Sequence, residues 1–171
     1  MATPQLPDSP TPQLLLQTIK FSHTVFALPF AVLAAVLAAG GMPEARALAW
    51  IVAAAVGART AAMACNRLCD LRYDRANPRT AAWPASRGAV RPRHLLALLL
   101  SGAALFLQAA WSLNGTTRRL AFPTLAVLLG YSWTKRFTPL CHFALGLALA
   151  IAPAGAWLAV SETWRPVWLL L

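Results

Sequence analysis

The chain has 171 residues, of which 58% are hydrophobic and only 12% charged, and it carries a net charge of +10. Long uncharged stretches separated by short charged loops exclude an ordinary soluble domain and make the bilayer the relevant solvent. The basic excess would point to nucleic acid in a soluble protein, but here it sorts by side of a membrane, so no nucleic-acid partner is expected.

The first dozen residues hold Pro4, Pro7, Pro10 and Pro12 with no positive charge. They do not read as a secretory signal, and a disordered cytoplasmic tail is expected over 1–12. A spanning helix needs roughly 20 mainly apolar residues. Five stretches approach that requirement, at about 21–40, 46–66, 94–113, 119–134 and 140–160. The run from Trp164 to Leu171 begins a sixth apolar segment whose eight residues would rise only about 12 Å as helix, too little to cross. The expected fold is all-α, a polytopic transmembrane bundle of five full spans plus the start of a sixth.

Orientation follows from the cations. Lys20, Arg67, Arg72, Arg75, Arg79, Arg87, Arg91, Arg93, Lys135 and Arg136 fall on one side of this arrangement, against Arg46, Arg118, Arg119 and Arg165 on the other. The positive-inside rule then places the amino terminus and the segment 67–93 in the cytoplasm. The three cysteines include Cys65 and Cys69, which are spaced too widely for a redox pair and are expected to pack as reduced thiols.

Between Gly57 and Asp74 the apolar rule breaks, with Arg59, Asn66, Arg67, Asp70, Arg72 and Asp74 in quick succession. An ionisable group near the middle of a span costs about 2.5–3.5 kcal/mol on insertion scales, so such groups usually face an aqueous cavity. Asn66, Asp70 and Asp74 are four residues apart, which on a helix displaces each from the last by about 40° and advances it about 6 Å. Arg59, two turns earlier, lies on nearly the same face. Hard oxygen ligands in this pattern suit Mg²⁺, which is commonly held by one or two carboxylates together with substrate phosphates. The alternative on spacing alone is that Asp70 and Asp74 pair with Arg67, Arg72 or Arg75.

Two further pieces extend the pattern. Arg75 to Gly88 is a basic loop whose Pro78 and Pro84 force turns, able to fold back over a cavity. Gly130-Tyr131-Ser132-Trp133-Thr134-Lys135-Arg136 ends the fourth span with adjacent cations, where Lys135 either reaches a phosphate or snorkels to the interface.

Taken together, these pieces resemble the UbiA-type intramembrane prenyltransferases, the family of 4-hydroxybenzoate polyprenyltransferase. The likeness rests on Asn66, Asp70 and Asp74, on Asn77-Pro78-Arg79-Thr80, on Tyr131 to Arg136, on Ile19 to Thr24 and on Ala152 to Trp157. It covers about 13–160, with Trp83-Pro84 standing where family members commonly carry an arginine-proline or similar polar pair. The resemblance implies that 13–171 is the amino-terminal part of one transmembrane prenyltransferase domain in the inner membrane, its mouth cytoplasmic. It implies Mg²⁺-dependent transfer of a polyprenyl group from a polyprenyl diphosphate to an aromatic acceptor such as 4-hydroxybenzoate, as in ubiquinone or menaquinone synthesis. By the same resemblance Asn66, Asp70 and Asp74 hold the metal–diphosphate. Arg59, Arg79, Tyr131, Lys135 and Arg136 bind substrate, and Lys20 with His23 lie near the acceptor.

The family's second aspartate-rich motif has no counterpart here, since Glu162 is the sole acidic residue after Asp74. The other half of the metal site is therefore expected on a following segment or another chain, and this chain is expected to be inactive or weakly active by itself. Two competing readings are a small-solute transporter or channel subunit, and a catalytically dead partner that binds lipid diphosphates.

Overall fold

The computed structural model describes residues 10–134 and 141–164, apart from the side chains of His23, Phe26 and Cys141. Within them the chain is all helix: α1 (Pro12–Thr18), α2 (Phe21–Ala39), α3 (Ala45–Ala76), α4 (Pro92–Leu113), α5 (Gly115–Thr134) and α6 (Cys141–Ser161). The start of the expected sixth span lies outside the described residues.

Each boundary has a local cause. Thr11 caps α1 by accepting from the Leu14 N–H, with Pro12 at the first position, where a missing N–H costs nothing. Lys20 then breaks the chain between α1 and α2 with a left-handed φ of 50°. Gly40, at φ 66°, ends α2 as only a residue without a Cβ does cheaply, and Gly41 N–H returns to the Val36 carbonyl. Pro92 opens α4. Asn114 alone joins α4 to α5, and its amide donates to the Leu158 and Ala159 carbonyls of α6 at 2.8 and 3.0 Å.

Two expectations about boundaries are corrected. The second span was expected to end near 66, with 67–93 as a loop, but α3 runs on to Ala76 and the connection is 77–91. No glycine or proline interrupts 58–77, so nothing stops the helix before Pro78. Its 32 residues reach about 48 Å, well beyond a hydrocarbon core of about 30 Å. Second, Pro12 belongs to α1 rather than to a tail, and the Leu14 and Leu15 side chains pack with Leu68, Leu71, Ala85, Val90 and Leu95 in a small core beneath the cap.

By length and composition α3, α4 and the portion His142–Ser161 of α6 can each cross a membrane, and α2 supplies the shorter apolar stretch Ala27–Ala39. α3 and α4 cross so closely that a Cβ on Gly57 would stand 2.7 Å from the Phe106 nitrogen, and one on Gly102 would stand 2.7 Å from the Ala61 nitrogen. Such small-residue contacts let membrane helices gain dispersion energy that side chains alone would not give. A second core joins α2, α3 and α6 through Ala31, Ala34, Ala35, Ile51 and Ala156. These are mostly alanines, so the bundle centre is not filled.

Candidate functional site

The unfilled centre is a cavity of about 280 Å³ bordered by α2 to α6. Its α3 wall is Ala54, Ala55, Ala58 and Ala62, small side chains that leave room, and elsewhere Leu28, Phe106, Leu120, Leu128 and Leu149 make it apolar. Five polar side chains interrupt this lining, Thr24 on α2, Arg59 on α3 and Thr117, Thr124 and Tyr131 on α5, with Arg59 beside Tyr131 at one end. Thr24 Oγ1 and Arg59 Nε are both buried without a hydrogen-bond partner. A buried unpaired donor on a cation is costly, so this end of the cavity is built for something that accepts.

Arg59, Asn66, Asp70 and Asp74 fall within about 80° of one another around α3, because the helix is unbroken through all four. Arg59 and Asp70 lie close enough to the Tyr131 phenol to act on it electrostatically, as does Arg67. Asn66, Asp70 and Asp74 are not among the cavity's lining residues, but Asp70 lies near Tyr131, which is, and Asn66 and Asp70 are half-buried.

Asp74 has a partner. Arg67, itself 8% exposed, gives it an ion pair of 3.2 Å through Nη1 to Oδ2, and Arg67 Nε donates to the Thr18 carbonyl at 3.3 Å. The Arg67 guanidinium carbon lies 3.9 Å from the centre of the Trp83 ring, and Lys20 Nζ lies 5.0 Å from the same centre. Thr80 Oγ1 donates to the Asp74 carbonyl at 2.8 Å. The pairing of Asp74 with Arg67 was one alternative on spacing alone, but it is largely buried between the end of α1 and the 77–91 segment rather than on an exposed surface, where such pairs are worth little.

Other expected residues are placed differently. Arg79 is exposed, and its main-chain N–H closes a turn on Asn77 Oδ1 at 3.0 Å. Lys20 faces Trp83 rather than the cavity lining. Lys135, Arg136 and the side chain of His23 lie outside the described residues. Sequence reasoning passed over Thr24 and underrated Arg67. The signal for Arg67 was its seven-residue spacing to Asp74, two turns on one face. Neither Cys65 nor Cys69 is in a disulfide.

A metal can be tested against the donor set. Among the described residues no three His, Cys, Asp or Glu side chains converge, so an all-protein cage is not present. By chemistry, Asn66, Asp70 and the remaining oxygen of Asp74 are the hard oxygen donors that a Mg²⁺ shared with phosphate oxygens would take.

Residues 27–171 match the UbiA prenyltransferase family. The chain is 32% identical over 138 residues to a 4-hydroxybenzoate octaprenyltransferase of Vibrio cholerae, covering 80% of this chain and 49% of that protein. It is 32% identical over 136 residues to one of Albidiferax ferrireducens, covering 79% and 46%. The chain thus spans about half the length of the curated relatives it matches. Its fold superposes on a UbiA homologue from Aeropyrum pernix with a TM-score of 0.79 and 36% identity, over 88% of this chain and 56% of that one. A structure of digeranylgeranylglyceryl phosphate synthase gives a TM-score of 0.82 at 14% identity, which speaks to fold alone.

Proposed function

The chain belongs to the UbiA prenyltransferase family, and on that premise we propose that it forms one wall of an intramembrane site for transfer of a polyprenyl group from a diphosphate to an aromatic ring such as 4-hydroxybenzoate. The observation that carries this reading is the continuity of α3, which sets Arg59, part of the apolar cavity's lining, on one helix face with Asn66, Asp70 and Asp74. A polyprenyl diphosphate is polar at one end and apolar along its length. So is this site.

In the proposed reaction the bond between the allylic carbon and the diphosphate oxygen breaks, and the diphosphate leaves with the electron pair. A ring carbon of the acceptor bonds to the allylic carbon and then loses its proton. Mg²⁺, held by Asn66 through its amide oxygen and by Asp70 and Asp74, would supply charge that stabilises the departing diphosphate. The chain's own groups do the rest. Arg59 offers its unpartnered Nε to an anionic group at the head of the cavity, and Thr24 offers a second donor. The alanine-lined cavity takes the allylic end of the tail and excludes water from the carbocation. Lys135, Arg136 and Arg79 would add phosphate contacts, with Lys20 and His23 near the acceptor. Five spans, a cytoplasmic amino terminus and an inner-membrane location complete the reading, as the cation asymmetry requires.

The test is Mg²⁺-dependent binding of a labelled polyprenyl diphosphate to the chain in nanodiscs, with prenyl transfer to 4-hydroxybenzoate assayed in parallel. Asp70→Asn is expected to weaken binding at least tenfold. Equal binding by the two proteins, with and without Mg²⁺, would refute the assignment. Transfer with the chain alone would show that one wall suffices; transfer requiring an added carboxy-terminal half of a relative would show two.

A further inference from the structure

We propose that Arg67 is a positioning residue for the diphosphate wall. It holds the Asp74 carboxylate by one oxygen, so that the other is presented to the cation, and Trp83 holds Arg67 in turn. The inference rests on the reading of Asn66, Asp70 and Asp74 as the metal–diphosphate wall.

Three observations carry it. The guanidinium is engaged on two edges at once: Nη1 to Asp74 Oδ2 at 3.2 Å and Nε to the Thr18 carbonyl at 3.3 Å. The second contact ties α3 to the end of α1, 49 residues away in sequence. The face of the guanidinium is covered by Trp83, 3.9 Å from its ring centre, at the position where the family resemblance led us to expect a polar pair. The Asp74 main chain is fixed independently by Thr80 Oγ1. Backbone and side chain of Asp74 are therefore both set before any ligand arrives. A carboxylate one turn from Asp70 would otherwise swing away from its like-charged neighbour, and preorganised ligands lose less on binding.

Lysine cannot replace this arrangement, because an ammonium is a point charge and lacks the planar fork that reaches Thr18 and Asp74 together while stacking on a ring. Trp83→Leu leaves every proposed ligand in place and removes only the stacking surface.

The experiment measures Mn²⁺ binding in the presence of inorganic pyrophosphate by electron paramagnetic resonance, on the full chain in nanodiscs, alongside thermal stability. Arg67→Lys is expected to weaken Mn²⁺ about tenfold, and Trp83→Leu by threefold or more, with a rise in pyrophosphate dissociation constant no larger than that for the metal. The decisive arm is a double-mutant cycle. In an Asp74→Asn background Arg67→Lys should no longer change Mn²⁺ affinity, although its effect on thermal stability persists, because Arg67 acts on the metal through Asp74. Additive losses, or Mn²⁺ affinity unchanged by Arg67→Lys and Trp83→Leu while Asp70→Asn lowers it, overturn the proposal and leave the wall itself standing. Wild-type affinity in both Asp70→Asn and Asp74→Asn would instead bring down the wall, and this inference with it.

Discussion

Lys20 and Arg67 reach the same indole ring from different parts of the chain, and each carries a cost that its surroundings offset. Lys20 sits at φ 50°, a conformation that L side chains adopt at roughly 1–2 kcal/mol above the right-handed region. Its ammonium lies near the Trp83 ring, which returns roughly 0.5–1 kcal/mol at a partly exposed site. Lys20→Gly and Lys20→Ala both lose that contact, but only glycine relieves the backbone. We expect Lys20→Gly to be about 1 kcal/mol more stable than Lys20→Ala in a denaturation series; equal stabilities would mean the left-handed turn is not strained. Arg67 was legible in the sequence as a cation near the ladder. Its engagement with Thr18 and Trp83 was not, since both contacts depend on how α1 and the 77–91 segment fold back.

Among the elements, α3 carries most of the argument. Its apolar first half, its run of alanines and its four-residue ladder were readable, and the helix carries all of them without a break. Its length was misjudged because hydropathy marks where a helix leaves the hydrocarbon, not where it stops being a helix. The crossing with α4 was hidden for a different reason: Gly57 and Gly102 are 45 positions apart, and nothing local pairs them. A methyl group at either would meet backbone atoms at 2.7–2.8 Å, which cannot move aside as a flexible side chain would. Gly57→Ala and Gly102→Ala should each cost at least about 1–3 kcal/mol, read as a lower melting temperature in detergent. An unchanged melting temperature in both would show that the helices separate more easily than this packing allows. α1 was missed because seven residues are too few to show a period, although its three consecutive leucines were visible.

At the scale of the whole molecule, a cavity was expected from the sequence, but which side chains line it was not legible. It exists because five helices each turn small or slender side chains toward one volume, and no single stretch records that. Its floor gives a direct check on where the prenyl tail rests. Ala58→Leu should leave thermal stability unchanged or slightly raised, since it fills empty space, while weakening polyprenyl diphosphate binding at least tenfold. Undiminished affinity would place the tail elsewhere. Inorganic pyrophosphate binding should be unaffected by the same substitution, which separates the tail's seat from the head's.

The reach of α3 has one more consequence. A helix of about 48 Å in a hydrocarbon layer of about 30 Å must leave its final turns among the lipid headgroups. On the proposed reading, the carboxylates at 70 and 74 would stand at the depth where a lipid's own phosphates already float. A polyprenyl diphosphate would reach them by drifting sideways within its leaflet, its head never stripped of water by the oily interior and its tail never exposed to the cytosol. Under that proposal the search would be two-dimensional, with the membrane itself presenting the substrate at the right height.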